Sequence, residues 1–290
     1  MTAEREEMGR KGSQRLRWQS QAVLLALIPV IAIWLTLAAG QDLEIARGWV
    51  LEAAAIGLGF AALVFVLRAA TAGGALTGGL ITAALYLQTP GPHTALWPLV
   101  VLVLLTFAAT RFGRKRKEAL GTAEARRGRS ASQVAANLGV AAVAGIPLRE
   151  ALGFGPTVFV GRAALVAMIA AMAEATADTL SSELGQVLGG TPRLLTTLRK
   201  VPPGTDGAVS LVGSIAGCAG AGAVAAVAEW ALPISHSEAL IAFGAGVAGL
   251  LIDSLLGAVP ERRGRLNNDA VNALSTLAAA VLGACACRWF

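Results

Sequence analysis

Residues 157–185 read TVFVGRAALVAMIAAMAEATADTLSSELG, and this stretch decides the fold. Its first part, 157–172, is apolar except for Arg162, which predicts a helix that crosses a membrane. Its second part adds three carboxylates: Glu174, Asp178 and Glu183. Ionisable side chains are costly to keep at the end of a membrane span, and they mark functional sites by default. We therefore expect a spanning helix that ends in a site.

The composition also indicates a membrane protein. Hydrophobic residues make up 55% of the 290-residue chain and charged residues only 14%, whereas about a quarter of a soluble domain is charged. The 34 glycines include the spacing Gly213-xxx-Gly217, which is typical of close helix packing. A net charge of +6 would suggest nucleic acid in a soluble protein, but membrane orientation explains it here, so we expect no nucleic-acid partner. Three cysteines in apolar segments argue against a disulfide framework.

Nine apolar runs predict an all-α polytopic membrane fold. They are residues 22–39, 49–68, 72–88, 95–112, 132–147, 157–183, 208–231, 238–259 and 268–287. The third and fifth runs are short, so one of them could re-enter the membrane. We expect residues 1–19 to form a basic cytoplasmic tail and residues 20–290 to form a single helical membrane domain.

The basic residues predict the orientation. With a cytoplasmic N-terminus and alternating spans, nearly all Lys and Arg residues fall in the tail or in three loops, 111–130, 186–207 and 260–267. Positive charge accumulates on the cytoplasmic side of membrane proteins. The acidic end of the sixth span then faces the cytoplasm. Since the sequence shows no plastid-type transit segment, we expect a prokaryotic inner membrane.

A faint internal repeat accompanies this topology. Asp178-Thr-Leu is followed by a basic loop and a new helix, and Asp253-Ser-Leu is followed in the same way. The segment Gln133–Asn137, after the 111–130 loop, is a third candidate copy. Helix–loop–helix repeats are common in polytopic proteins, but short apolar matches also arise by chance.

The carboxylates predict a metal site. Glu174 and Asp178 are four residues apart, so they lie on one face of a helix and repel each other unless a cation separates them. Together with Asp253 from another helix and the hydroxyl of Ser182, they could hold Mg2+, with water and a substrate phosphate completing the shell. The alternative is that these acids are solvated, or paired with Arg199 or Arg263.

The segment Val201-Pro-Pro-Gly-Thr-Asp-Gly207 predicts a phosphate-binding loop. Gly204 and Gly207 allow positive φ, so consecutive amides could form an anion nest at a helix N-terminus. Thr205 or Asp206 would then cap that helix. A plain loop with an ordinary cap explains the same residues.

Two further candidates are open to structural explanations. Arg114 and Lys115 could clamp a diphosphate, but an inside-positive anchor for anionic lipid explains most charges of their loop. Asn137 lies one helical turn after Gln133 and could read a base or polar headgroup. Hydrogen bonding between helices is the alternative for it.

Several of these motifs resemble a family of polytopic membrane proteins that includes the animal transmembrane protein nineteen and the plant phytyl-phosphate kinases. The resemblance covers roughly residues 50–287. It is carried by Glu174-Ala-Thr-Ala-Asp178-Thr-Leu-Ser-Ser-Glu183-Leu-Gly185, by Val201-Pro-Pro-Gly204-Thr-Asp206-Gly-Ala-Val-Ser210, by Asp253-Ser-Leu-Leu-Gly257-Ala258, and by Arg126–Arg129, Asn137, Asn268 and Asn272. Val259, Pro260 and Glu261 depart from the family pattern, which often has Thr and Gln there.

The resemblance implies transfer of the γ-phosphoryl group of CTP or ATP to an isoprenoid monophosphate, which gives the diphosphate. In this interpretation Asp178 and Asp253 hold Mg2+ with support from Glu174. Phosphates would be held by Arg199, Lys200 and the amides of Gly204–Gly207, with Ser210, Asn268 and Asn272 as further family positions. The isoprenoid tail would lie between apolar helices.

Two other classes of function use a similar site. A transporter or flippase for a polyprenyl phosphate or another anion could use the same acids as ion sites. A membrane-embedded cytidylyltransferase acting on a lipid phosphate would need much the same metal. The polar residues crowd one membrane face, which favours an enzyme. A homodimer is possible in each case.

Overall fold

A computed structural model describes residues 16–40, 44–123, 128–146 and 161–289, and these are mostly helical. The predicted tail residues before position 16, together with Arg126 and Arg127, lie outside the described residues. The helices are α1 (Arg17–Ala39), α2 (Glu44–Val66), α3 (Ala72–Gln88), α4 (Leu96–Arg111), α5 (Arg114–Leu120), α6 (Ala131–Ala144), α7 (Arg162–Leu188), α8 (Leu211–Ala231), α9 (His236–Leu256) and α10 (Asn268–Ala286). A hairpin of β1 (Arg193–Leu194) and β2 (Ala208–Val209) precedes α8.

The predicted nine spans are not confirmed. Within the described ranges, six helices are long and apolar enough to cross a membrane, or seven if α4 and α5, which meet at a bend of 63°, form one span. Helices α3, with 17 residues, and α6 fall short of this length. Most of α3 is buried inside the protein. Its apolar sequence therefore reflects packing against other helices, and hydropathy alone does not separate that environment from lipid.

Helix α7 lies at the centre of the fold. It packs against α4, α8, α9 and α10, and its apolar part is the most enclosed of the six spans. Small residues permit the close contact with α8: a Cβ atom on Gly213 would lie 2.6 Å from the main-chain oxygen of Ser181. The packing function predicted for Gly213 and Gly217 is confirmed.

Two π-helical turns interrupt the regular helices at the same end of the molecule. One spans Ala135–Gly139 within α6, just after a capping box formed by Ser130 and Gln133. The other spans Gly257–Glu261 and extends α9. Such turns are frequent at functional sites because the extra residue redirects the side chains around it.

The 201–207 loop packs main chain to main chain against the second π turn. A Cβ atom on Gly207, whose φ is +69°, would lie 2.1 Å from the amide nitrogen of Ala258. Only glycine combines this backbone conformation with so close an approach. The contact places the loop beside the end of α9.

Candidate active site

A polar cavity of about 350 Å³ lies where α6, α7, α9 and α10 meet the 201–207 loop. It collects most of the residues that the sequence predicted for the site. They are Asn137, Asp178, Ser182, Gly204, Thr205, Asp206, Gly207, Ser210, Asp253, Asn268 and Asn272. The structure therefore brings these separate motifs together at one end of the helix bundle.

Asp178 and Asp253 form the centre of the cavity. Their carboxyl groups come from α7 and α9 and are near enough to interact with each other. Ser275, on α10, donates a hydrogen bond from its hydroxyl to Asp253 Oδ2 at 3.2 Å. Asn272 Nδ2 donates to Asn137 Oδ1 at 3.4 Å, which links α10 to α6 at the wall of the cavity. The helix–helix hydrogen bond considered for Asn137 is thus present in a residue that also faces the cavity.

Glu174 lies beneath the aspartates and not in the cavity wall. It is 1% exposed, and a Cβ atom on Gly249 would lie 2.5 Å from its Cγ, so the glycine makes room for it. Its Oε1 atom has no hydrogen-bond partner among the described residues. A buried acceptor without a partner is costly, which points to a proton or a cation at this position.

The ligands available around the aspartates suit Mg2+ better than they suit a metal ion that is bound by protein side chains alone. Within the described part of the chain, no three Asp, Glu, His or Cys side chains converge closely enough to hold an ion. Glu174 is accordingly not placed as a third ligand beside the aspartates. Mg2+ is usually bound by one or two carboxylates together with water and substrate phosphates. Asp178 and Asp253 supply that number.

Acidic side chains outnumber basic ones in the wall of the cavity. Carboxylates reach its wall from Asp178, Glu183, Asp206, Asp253 and Glu261, while Arg129 is the only basic residue among the described residues that line it. Burial raises the pKa of the Asp206 carboxyl above its ordinary value, and nearby Arg262 partly opposes that rise. A phosphate group would be repelled from such a cavity unless cations accompanied it.

Arg129 is held rigidly at the edge of the cavity. Its main-chain N–H donates to the oxygen of Ala69 at 2.9 Å, and its own oxygen accepts from the N–H of Thr71 at 3.0 Å. Gly128, with φ of +75°, allows the approach to Ala69. The guanidinium points towards α7, where Nη2 lies 3.5 Å from the Thr179 hydroxyl. Arg129 belonged to a motif of the family resemblance, but the sequence did not single it out as a site residue.

A buried ion pair supports the same end of α7. Lys117 is 1% exposed, donates hydrogen bonds to the main-chain oxygens of Ala109 and Thr110, and pairs with Glu183. The pair ties α5 to the acidic end of α7. Lys117 could not be recognised from sequence, because it stands among several basic residues of the same loop.

The start of α8 differs from the prediction. The N-cap is Ser210, whose hydroxyl accepts from the N–H of Gly213 at 3.1 Å, and not Thr205 or Asp206. Strand β2 therefore separates the 201–207 loop from the helix N-terminus. The N–H groups of Thr205 and Ala208 donate to carbonyls within the loop. Gly204 and Gly207 do adopt the predicted positive φ.

Four predicted phosphate ligands do not line the polar cavity. Lys115, Arg199 and Lys200 are exposed, and Arg114 borders a second, apolar cavity and pairs with Glu118. The sequence placed them near the site because they share its loops, but a loop position does not fix the direction of a long side chain. Glu261 was noted only as a departure from the family pattern, and it proves to line the cavity.

Comparison with known proteins identifies the family of the chain. The family model of the integral membrane protein DUF92 matches residues 55–280. The chain belongs to this family. An uncharacterized membrane protein of Methanocaldococcus jannaschii is 42% identical over 41% of this chain and 50% of its own length. One from Synechocystis is 33% identical over 64% of this chain and 72% of its own length.

A plant protein also matches. The chloroplastic protein VTE6 of Arabidopsis thaliana is 32% identical over 58% of this chain and 51% of its own length. The alignments thus span about half of the archaeal and plant relatives. No solved structure matches the chain. The DUF92 match confirms an integral, multi-pass membrane protein, and the resemblance stated from the motifs is confirmed.

Proposed function

We propose that this DUF92 protein is a membrane-embedded kinase that transfers the γ-phosphoryl group of CTP or ATP to an isoprenoid monophosphate. The observation that carries the proposal is the pairing of Asp178 and Asp253 in a polar cavity at one end of the bundle. The resemblance of the acidic motifs to the plant phytyl-phosphate kinases, together with the match to the chloroplastic protein VTE6, favours this chemistry over others.

The charge of the cavity supports phosphoryl transfer that depends on a divalent cation. An excess of carboxylates opposes phosphates alone but favours Mg2+ with its bound nucleotide. A bound Mg2+ would supply positive charge that offsets the negative charge developing on the phosphate oxygens. Asp178 and Asp253 would hold it, and Ser275 orients Asp253 by its hydrogen bond.

The chain's own residues would align the reactants. An oxygen of the lipid phosphate attacks the γ-phosphorus, and the bond from that phosphorus to the β-phosphate oxygen breaks, which releases the nucleoside diphosphate. Because the acceptor is already an oxyanion, no strong general base is needed. Arg129 would hold the acceptor phosphate at the cavity edge, and Asn137 and Asn272 offer amide groups to the phosphates.

The arrangement favours an enzyme over a transporter. The polar residues gather where α7 and α9 end and α10 begins, so they lie at one face of the bundle. A transporter commonly carries its ion and substrate sites near mid-membrane, on helices broken there. The first half of α7, before Glu174, is apolar, and the acids lie in its second half.

The test is an assay of the purified protein in detergent or nanodiscs with Mg2+, labelled ATP or CTP, and phytyl, farnesyl or geranylgeranyl monophosphate. We expect a lipid diphosphate and a nucleoside diphosphate in equal amounts. A CDP-lipid with release of pyrophosphate would indicate a cytidylyltransferase instead. No product with any pair of substrates, together with uptake of the lipid phosphate into vesicles, would refute the kinase and support transport.

A further inference from the structure

A second cavity, of about 360 Å³, adjoins the first. Its walls are formed by α2, α3, α4 and α6, and they are largely apolar. Phe60, Gly78, Leu102, Val103 and Leu138 are among the residues that line it. Its rim includes Val66 and Leu67, which are 76% and 44% exposed, so the groove reaches the surface of the bundle. We call it the apolar groove.

The polar and apolar cavities meet at two side chains. Arg129 and Asn137 line both of them. One molecule could therefore place an apolar part in the groove and a polar end beside Asp178. A lipid with a long apolar tail and a small anionic head group fits this arrangement.

The charge at the mouth of the groove selects an anionic head. Arg111 and Arg114 line this end together with Arg129. Arg111 is braced there, because its guanidinium donates to the main-chain oxygen of Leu67 at 2.9 Å and lies 3.9 Å from the centre of the Phe107 ring. The Thr110 hydroxyl is buried nearby and makes no hydrogen bond with the described residues.

Small residues keep the deeper part of the groove open. A Cβ atom on Gly78 would lie 3.1 Å from the ring of Phe60 and 3.9 Å from the side chain of Val134. A larger side chain at this position would fill the space between α2, α3 and α6. The volume of the groove falls within the range of about 300–1,000 Å³ for pockets that bind small molecules.

We propose that the apolar groove binds the tail of the isoprenoid monophosphate, while Arg129 holds its phosphate at the junction with the polar cavity. The proposal rests on the proposed function for the identity of the lipid. It assigns the choice of chain length to α2, α3 and α4, which carry none of the acidic motifs. The lipid would enter from the side of the bundle and leave the nucleotide to enter through the polar cavity.

Photocrosslinking tests the binding site without turnover. A geranylgeranyl monophosphate that carries a diazirine on its tail is added to the wild-type protein without nucleotide, and the labelled peptides are mapped by mass spectrometry. We expect labels within residues 60–67 and 102–107, removed by excess geranylgeranyl monophosphate. Labels confined to α8–α10 would overturn the proposal. Equal competition by phosphatidic acid would also overturn it, because the groove would then bind lipids in general.

A matched pair of variants tests the chain-length function. Val103→Trp places an indole in the groove, whereas Leu104→Trp places one on the surface of the same helix, where Leu104 is 62% exposed. Losing two methylene groups from an apolar site weakens binding about tenfold. We expect Val103→Trp to lower kcat/KM for the C20 acceptor at least about tenfold relative to a C10 acceptor, with the KM for nucleotide unchanged.

Leu104→Trp should behave like the wild type. Gly78→Val is a second substitution that would fill part of the groove, independently of Val103→Trp. If both groove-filling variants fold and keep the chain-length preference of the wild type, the tail does not lie in the groove. Formation of the lipid diphosphate would still support the kinase. If the wild type forms no lipid diphosphate but crosslinks in the groove, the proposed function fails and the binding site stands.

Discussion

Asp178 on α7 and Asp253 on α9 line the same polar cavity and interact through their carboxyl groups, and Ser275 donates a hydrogen bond to Asp253 at 3.2 Å. Two interacting carboxylates repel each other when both are charged, and a bound divalent cation would reverse that effect. This repulsion destabilises the folded state when no cation is bound, and a bound cation would remove the destabilisation. The proposed Mg2+ site therefore predicts that metal binding raises the stability of the protein.

Replacing one aspartate should separate these effects. We expect Asp178→Asn to lower kcat by about 100-fold or more, because the phosphoryl group loses its electrostatic stabilisation. It should also raise the Tm measured in detergent without Mg2+ and abolish the rise in Tm that Mg2+ gives to the wild type. Glu229→Gln is the control. It removes one carboxylate, paired with His236 at 3.1 Å, near the opposite end of α8. A Mg2+-dependent Tm in Asp178→Asn equal to that of the wild type would remove Asp178 from the metal site.

The Lys117–Glu183 pair should matter far more for stability than an exposed pair on the same helix. Breaking a buried ion pair costs about 3–5 kcal/mol, because the remaining charge is left without compensation. We expect this cost for Lys117→Met, and partial recovery in Lys117→Met/Glu183→Leu. The control is Glu118→Gln, which breaks the exposed pair with Arg114 and should cost less than about 1 kcal/mol. Chemical denaturation in mixed micelles measures all three. Equal effects of Lys117→Met and Glu118→Gln would show that the buried pair is not structural.

Glycine packing between α7 and α8 gives a third prediction. Gly213→Ala should destabilise the protein by about 1–3 kcal/mol, because the new Cβ would lie 2.6 Å from the oxygen of Ser181. Gly222→Ala, on the same helix, meets only the Phe243 ring at 3.8 Å and should gain up to about 1 kcal/mol from helix propensity. Thermal unfolding compares the two. A stabilising Gly213→Ala would mean that α7 and α8 lie farther apart than described here.

The pKa of Asp206 predicts a pH-dependent effect. Burial raises this pKa above 3.8, so the charged carboxylate is less favourable in the folded state than in the unfolded state. Its destabilising effect is absent below the unfolded pKa and complete above the folded pKa. In Mg2+-free buffer, Asp206→Asn should therefore raise Tm more at pH 7 than at pH 4. An increase in Tm that is the same at both pH values would contradict the assignment.

The sequence predicted the centre of the site better than its surroundings. Asp178 and Asp253 were recognisable because carboxylates are rare in apolar helices, and α10 begins at the predicted Asn268. The number of spans could not be recognised in this way, because α3 is apolar owing to its burial inside the protein. Arg199 and Lys200 were placed by their neighbours in sequence, whereas exposure of these side chains depends on how the hairpin folds. Arg129 acquires its position only through main-chain pairing with the segment before α3.

Arg129 at the cavities and the hairpin residues Arg199 and Lys200 are alternative ligands for the lipid phosphate. Substitution of Arg129 distinguishes between them. Arg129→Gln removes the basic side chain that lines both cavities, so we expect the KM for the lipid phosphate to rise at least about tenfold, as for loss of a charge-assisted hydrogen bond. The KM for the nucleotide should change little, because in the proposed site Mg2+ would hold the nucleotide phosphates. Arg263→Gln removes an equal charge from an exposed position outside both cavities and is the control. Steady-state kinetics with each substrate varied in turn measures both constants. If Lys200→Gln raises the KM for the lipid phosphate more than Arg129→Gln does, the phosphate lies by the hairpin, as the sequence predicted, and not at the junction of the cavities.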